Sequence, residues 1–252
     1  MTARAAAIVL AGALLAACAS VTPNMKTEAK ARMEIGISYL RQNNSPAAMK
    51  ELTKASALDP DNPEIDMVLG LAYQQRGDFP NAEKYLRRAI DKKPDYADAH
   101  NNLGYLLSAQ GRSKEAIREY EKAVANVVYQ TPEVACTNLA EEYRRMKDYK
   151  KAEELYRRAI SFNSRYAAAY RGLSTVQTAT NRWPDAAKTL GECTAYAPEF
   201  WSCWMDLGGV QLRLGKKREA LASFKQVLSG STDPAQRKKA ADYINLLESQ
   251  LR

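Results

Sequence analysis

The sequence predicts an all-α protein built from a repeated pair of helices. Helix-forming residues such as Ala, Leu, Lys, Glu and Arg dominate, and no long run of β-branched residues is present to form strands. Several positions recur at a spacing of 34 residues, which lies in the range of stacked repeats. With 26% charged and 46% hydrophobic residues, the chain also has the composition of an ordinary folded protein.

Residues 1–17 have the layout of a secretory signal peptide. Arg4 supplies the basic start, and an apolar run of mostly small residues follows from Ala5 to Ala17. This run is too short to span a bilayer, because a membrane-spanning helix needs roughly 20 residues. We therefore predict that the segment is removed during export.

The run ends in Leu15-Ala16-Ala17-Cys18, which resembles the lipobox of bacterial lipoproteins. The resemblance implies cleavage before Cys18 and lipidation of this cysteine. Because Ala19 rather than aspartate follows, it also implies delivery to the outer membrane, with the protein facing the periplasm. We expect residues 18–28 to form the lipidated N-terminus and a spacer. The alternative is an ordinary secreted protein in which Cys18 is unmodified.

Small residues recur at the spacing of 34 along the chain. They form three series: Gly36, Gly70 and Gly104; Ala48, Ala82 and Ala116; and Ala55, Ala89 and Ala123. The order Leu69-Gly70, Tyr73, Ala82 and a closing Pro94 resembles the tetratricopeptide repeat. The resemblance implies that each repeat is a pair of antiparallel helices, and that the pairs stack into a superhelix with a concave groove.

The sequence contains six such repeats and a final capping helix. The repeats are predicted at 29–62, 63–96, 97–130, 133–166, 167–200 and 201–234, with Thr131-Pro132 as an insertion. Residues 235–252 are predicted to form an amphipathic helix that covers the exposed end of the array. Gly77 and Gly111 are predicted to lie in the turns between paired helices, where a positive φ is needed.

The sequence offers little for catalysis, so we do not expect an enzyme. His100 is the only histidine, and its place in the repeat favours packing over a catalytic role. With one histidine and no closely spaced cysteine pair, no metal site, cofactor or small-molecule substrate is expected. The formal charge of +8 would suit an anionic partner, but export argues against nucleic acid, and a solvated basic surface is the simpler interpretation.

Three cysteines follow Cys18. An oxidising compartment permits one disulfide among them, and the sequence favours the pair Cys193 and Cys203, between which Pro198 turns the chain. Cys136 occupies a core position of its repeat, so we expect it to be buried.

The register of the repeat family names the side chains that face the groove. In the N-terminal half these are mainly apolar: Met33, Ile37, Leu40, Met67 and Leu71, with Gln74, Asn101, Tyr105 and Ser108. In the C-terminal half they are mainly polar: Thr137, Glu141, Arg144, Arg171, Thr175 and Thr178, followed by Met205, Gly209 and Leu212. An apolar stripe with two methionines suits adaptable binding of an apolar segment. The alternative is that both methionines only fill the gap between neighbouring repeats.

The whole layout resembles the pilotins of type IV pilus systems, which are outer-membrane lipoproteins with six tetratricopeptide repeats. The resemblance implies binding to the secretin subunit of the pilus machine, help in its insertion and multimerisation, and a role in pilus-driven motility. Two alternatives remain open: a lipoprotein of the β-barrel insertion machine, and a regulator of peptidoglycan enzymes.

Overall fold

The computed structural model describes residues 21–251, which form thirteen α-helices. They are α1 (Pro23–Arg41), α2 (Ser45–Leu58), α3 (Pro63–Gln75), α4 (Phe79–Lys92), α5 (Ala97–Ala109), α6 (Ser113–Ala125), α7 (Pro132–Arg145), α8 (Tyr149–Phe162), α9 (Ala167–Ala179), α10 (Trp183–Tyr196), α11 (Trp201–Arg213), α12 (Lys217–Gly230) and α13 (Pro234–Gln250). This arrangement confirms the predicted all-α repeat array. The predicted signal peptide and Cys18 lie outside the described residues.

The helices alternate between two layers. We call the odd-numbered helices α1 to α11 the A helices and the even-numbered helices the B helices, so that each repeat is one A helix and one B helix. Every A helix contacts its chain neighbours, and it also contacts the A helix of the next repeat. The A helices therefore form one continuous layer, which lines the concave side of such an array.

One residue in each turn from an A helix to its B helix has a positive φ. These residues are Asn43, Gly77, Gly111, Lys147, Asn181 and Gly215. Their spacing is 34 residues throughout, except for 36 between the third and the fourth, where the two-residue insertion lies. The sequence predicted this role for Gly77 and Gly111; the two asparagines and Lys147 were missed because only the register identifies them.

Within four repeats, a glycine of the A helix lets the B helix approach closely. Gly36 and Gly70 face Leu52 and Leu86 in this way. A Cβ added at Gly208 would lie 2.6 Å from the ring of Phe224, which is closer than any real contact. The glycine therefore leaves room for a large side chain that fills the hairpin interior.

Polar residues occupy the first large-residue position of repeats 1 to 3, and each pairs with the B helix of its own repeat. Arg32 Nη1 lies 2.9 Å from Glu51 Oε2. The carboxylate of Asp66 is buried and accepts a hydrogen bond of 2.8 Å from Arg88 Nε. Such pairing offsets the cost of burying charge, so these departures from the family pattern are compatible with the fold.

His100 takes the same position in repeat 3 and acts as a packing residue. Its ring is buried, with Nδ1 2.6 Å from Glu119 Oε2 and Nε2 2.9 Å from the carbonyl oxygen of Pro94. Trp204, the equivalent residue of repeat 6, donates from Nε1 to the carbonyl oxygen of Pro198 in the same way. Histidine thus replaces the indole with its main polar contact retained.

The structure corrects the predicted spacer at residues 18–28, because α1 begins at Pro23. Thr22 is the N-cap, and its side chain accepts a hydrogen bond of 3.3 Å from the backbone N–H of Met25. A threonine followed by a proline is a strong helix start, since proline suits the first helical position. Within residues 21–251, no helix combines the length and hydropathy needed to cross a bilayer.

The last helix, α13, packs against repeat 6 as a cap. Ala240, Ile244 and Leu247 are buried against α12, and the ring of Tyr243 stacks on Phe224 with centroids 4.6 Å apart. Leu251, which was predicted on the same face, follows the end of the helix and is exposed. The cap covers the apolar face that the terminal repeat would otherwise expose.

Cys193 and Cys203 are joined by a disulfide, with their Cα atoms 6.2 Å apart. The bond connects the end of α10 in repeat 5 to the start of α11 in repeat 6, and both cysteines are buried. Cys136 is free and fully buried, as expected from its core position.

Candidate functional site

Two rows of A-helix side chains form the floor of the concave groove. The first row is Ile37, Leu71, Tyr105, Glu141, Thr175 and Gly209, and the second is Leu40, Gln74, Ser108, Arg144, Thr178 and Leu212. All twelve residues are at least partly exposed. They recur once per repeat because three or four residues separate neighbours on one helix face. The structure thus places these predicted groove residues on one surface.

The third predicted row does not line the groove throughout, because Met33 and Asn101 are buried. Met33 packs into the same core cluster as Val68 of the next A helix. Asn101 accepts a hydrogen bond of 3.0 Å from Asn138 of the next A helix. These two calls are therefore corrected: at this position the side chain points toward the following repeat and joins the two repeats together.

The N-terminal end of the groove is an apolar depression with a volume of about 540 Å³. Its lining residues are Ile37, Leu40, Arg41, Met67, Val68, Leu71, Gln74 and Gln75. The size falls in the range of pockets that hold a few side chains or a small ligand. Met67 is half-buried between two core clusters and also contributes to this surface, so both interpretations of this methionine apply.

The middle of the groove is polar, and its charges are paired within the protein. Glu141 accepts hydrogen bonds from Arg144 Nε at 2.7 Å and from the Tyr156 hydroxyl at 3.0 Å. Burial alone would raise the pKa of Glu141, but these hydrogen bonds lower it below its usual value. A carboxylate that is already satisfied has little free capacity to recognise a partner.

The C-terminal end holds a second depression of about 360 Å³ with a mixed lining. Arg171 on α9 lies here, and its Nε is 2.6 Å from Asp206 Oδ2 on α11. Trp183, Met205, Lys239 and Tyr243 contribute to the wall. The groove thus changes from apolar in repeats 1 and 2 to polar and internally paired in repeats 4 to 6.

The described residues do not assemble a metal centre or an activated nucleophile. No group of three or more His, Cys, Asp or Glu side chains lies together in residues 21–251. Burial raises the pKa of the Cys136 thiol to about 11, so this cysteine stays protonated and unreactive. The geometry is suited to binding rather than to bond-making chemistry.

Comparisons with known proteins agree with this architecture. Two family models, each described as tetratricopeptide repeat, match the chain at residues 33–95, 67–127 and 179–236 and at residues 134–166. No curated protein sequence matches the chain.

Among solved structures, the chain is similar to Pseudomonas aeruginosa PilF, with a TM-score of 0.72 and 17% identity, over 86% of this chain and 97% of that chain. It is also similar to PilW, described as a widely conserved type IV pilus biogenesis factor, with a TM-score of 0.71 and 20% identity, over 84% and 98%. Yeast Tom70 gives a TM-score of 0.71 at 17% identity, over 89% of this chain but 48% of that chain. At these identities the likeness shows a shared fold.

Proposed function

This chain belongs to the tetratricopeptide repeat family, and on that premise we propose that it is an outer-membrane lipoprotein that acts as a pilotin. In this role it binds the secretin subunit of a type IV pilus machine and promotes its insertion into the outer membrane and its multimerisation. Pilus assembly and pilus-driven motility depend on that step. The protein binds and guides its partner and performs no catalysis.

The extent of the fold supports this role. The likeness to PilW, a type IV pilus biogenesis factor, extends over nearly all of both chains, whereas the likeness to Tom70 uses about half of the larger protein. Six repeats and a cap are therefore a complete unit in this chain and in its pilus-associated counterpart. A shared unit of matching length is a closer parallel than repeats embedded in a longer array.

The apolar end of the groove is the observation that carries the binding proposal. A secretin subunit must keep membrane-destined apolar surface out of water until its ring closes. The depression lined by Ile37, Leu40, Met67 and Leu71 offers apolar contact of matching character on a rigid helical floor. Methionine adapts to irregular partners because its side chain is unbranched and flexible. The partner therefore binds at repeats 1 and 2.

A deletion strain tests the secretin proposal. We expect secretin monomer to persist while the heat- and detergent-resistant multimer disappears, and reintroduction of the gene to restore it. Normal multimer in the deletion strain would reject the pilotin role. A defect in β-barrel proteins or in cell-wall synthesis instead would favour one of the two alternative envelope functions.

The lipid anchor is tested separately with Cys18→Ser. We expect this variant to leave the outer-membrane fraction and to appear in the soluble periplasmic fraction. If it stays in the membrane fraction, anchoring through Cys18 is rejected. If it is released but still restores the secretin multimer, the anchor is dispensable for the binding step.

A further inference from the structure

The two long edges of the array differ in chemical character. One edge carries the short A–B turns, at residues 42–44, 76–78, 110–112, 146–148, 180–182 and 214–216. The opposite edge carries the B–A loops, at residues 59–62, 93–96, 126–131, 163–166 and 197–200, and the segment 231–233 before the cap. The A–B turns contain more basic than acidic residues, and their exposed lysines include Lys147 and Lys216. The B–A edge contains most of the exposed large apolar side chains discussed next.

Five large apolar side chains are exposed along the B–A edge of repeats 3 to 5. Val127 and Val128 stand on the loop after repeat 3 and are 98% and 71% exposed. Phe162 and Tyr196 are the last residues of α8 and α10 in the next two repeats, and Phe200 ends the loop after repeat 5. The residues thus form a stripe over three consecutive repeats rather than scattered single positions.

The valine loop is a special feature of this chain. It has six residues, 126–131, where the other loops between repeats have four, and the extra length is the two-residue insertion. Tyr129 of the same loop is buried among Ala97, Ala123 and Ala135, so the loop is held to the body of the protein. The insertion therefore projects two branched apolar side chains into solvent from a fixed base.

The charges near the stripe cancel or lie over aromatic rings. Arg165 and Glu199, on successive loops, form an ion pair of 2.5 Å. The guanidinium of Arg158 lies over the ring of Phe162, with 5.5 Å to the centroid. A surface of aliphatic tips, aromatic rims and little net charge is typical of contact with the headgroup region of a bilayer.

The start of α1 lies at the same edge, since all A helices begin there. Only five residues, 18–22, separate the predicted lipidated Cys18 from Pro23. A fully extended segment of that length spans at most about 18 Å. A lipid on Cys18 would therefore hold the B–A edge close to the membrane and leave the basic A–B edge turned away from it.

From these features we propose that the B–A edge of repeats 3 to 5 rests on a phospholipid bilayer, with Val127 and Val128 inserted among the headgroups. The proposal rests on the lipid anchor of the proposed function, but it assigns a second contact far along the chain from that anchor. Two contacts fix the orientation of the array. The helices then stand on the membrane, and the groove opens sideways, where a subunit at the membrane surface can enter it.

A photo-crosslinking amino acid tests this contact in the full-length protein. We would place p-benzoylphenylalanine at position 127 and, as the matched control, at position 147, which is an exposed turn residue on the opposite edge. Cell envelopes are irradiated, and adducts are identified by mass. We expect phospholipid adducts at position 127 at least several-fold above those at position 147. A protein adduct at position 127, no adduct, or equal lipid labelling at both positions would overturn the proposal.

Removal of the apolar tips provides a second reading. With the crosslinker at position 162, Val127→Ser combined with Val128→Ser should reduce lipid adducts several-fold, and unchanged labelling would count against insertion of the loop. Fractionation of Cys18→Ser is scored separately. A protein anchored through Cys18 without lipid adducts at position 127 keeps the anchor and rejects the edge contact, whereas adducts in a protein without an anchor do the reverse.

Discussion

At the scale of single residues, the turn between paired helices depends on one left-handed conformation per repeat. Glycine provides it in repeats 2, 3 and 6, and asparagine, which tolerates this region, in repeats 1 and 5. Lys147 has φ 63°, although a lysine side chain disfavours this conformation. The turn of repeat 4 is therefore held in place by its neighbours at a local cost.

Lys147→Gly should raise the free energy of unfolding by up to about 1 kcal/mol, because glycine removes the steric cost of the left-handed conformation. Gly111→Ala, at the equivalent turn, should lower it by about 1 kcal/mol; no atom within 4 Å would meet the added Cβ, so the loss reports the backbone alone. Urea denaturation measures both. A less stable Lys147→Gly protein would show that the lysine side chain contributes contacts that outweigh the strain.

Acidic residues that bridge neighbouring repeats make stability depend on pH. Glu83 receives a hydrogen bond of 2.6 Å from Arg112 of the next repeat, and this contact lowers the pKa of Glu83 even though burial opposes the shift. Arg182 lowers the pKa of Glu153 in the same way two repeats later. Because these folded-state pKa values lie below the unfolded ones, the contribution is present at neutral pH and is lost as the pH falls.

The free energy of unfolding should therefore decrease as the pH drops below about 4.5, where the unfolded carboxylates begin to bind protons. Glu83→Gln should reduce stability at pH 7 by about 1 kcal/mol or less and should flatten this acid-side decline. Glu154→Gln is the control, since Glu154 is exposed and makes no ion pair within the described residues. Equal pH profiles for all three proteins would contradict the assigned role of Glu83.

At the scale of the helix pair, close backbone approach decides which glycines are required. Gly208 and Gly209 are adjacent on α11 and have opposite surroundings. A Cβ on Gly208 would meet the ring of Phe224 at 2.6 Å, whereas a Cβ on Gly209 would meet no atom within 4 Å. The two positions therefore separate a packing role from the general cost of glycine in a helix.

Gly208→Ala should lower the free energy of unfolding by about 1–3 kcal/mol, because the hairpin must open or Phe224 must leave its rotamer. Gly209→Ala should raise it by up to about 1 kcal/mol, because alanine is the better helix former. Thermal and urea denaturation of the purified variants provide the comparison. Similar effects of the two substitutions would mean that α11 and α12 are less closely packed than described.

The disulfide links two elements, α10 and α11, at the junction of repeats 5 and 6. Reduction should lower the free energy of unfolding by roughly 2–3 kcal/mol, because the closed loop restricts the unfolded chain. Denaturation with and without a reductant measures this. An intact mass that does not change on reduction would show that the two cysteines are unpaired.

At the scale of the whole molecule, the period of 34 carried most of the fold. Small residues at fixed spacing located the close contacts of helix pairs, and the same register placed Ile37, Leu71 and Tyr105 on the groove floor. These features were predictable because stacked repeats bury the same positions in every unit. Individual matches are weak, but their repetition at one spacing is not.

The parts that sequence reasoning missed depend on contacts between repeats. Met33 and Asn101 share a position with exposed Arg171, and burial there is decided by the side chain opposite, in the next A helix. The early start of α1 was missed because Thr22-Pro23 was read as a linker rather than as a cap. The apolar B–A edge was missed because its residues lie in loops, where the repeat pattern makes no demand.

The central claim is that the apolar end of the groove binds the partner, and complementation of the deletion strain tests it most directly. Leu71 lines that end and lies outside the core clusters of the described residues, so Leu71→Gln should leave the fold intact. Thr175→Gln alters the same repeat position at the polar end and serves as the control. The account predicts that wild-type protein and Thr175→Gln restore the resistant secretin multimer, whereas Leu71→Gln restores several-fold less. Equal restoration by all three would contradict it.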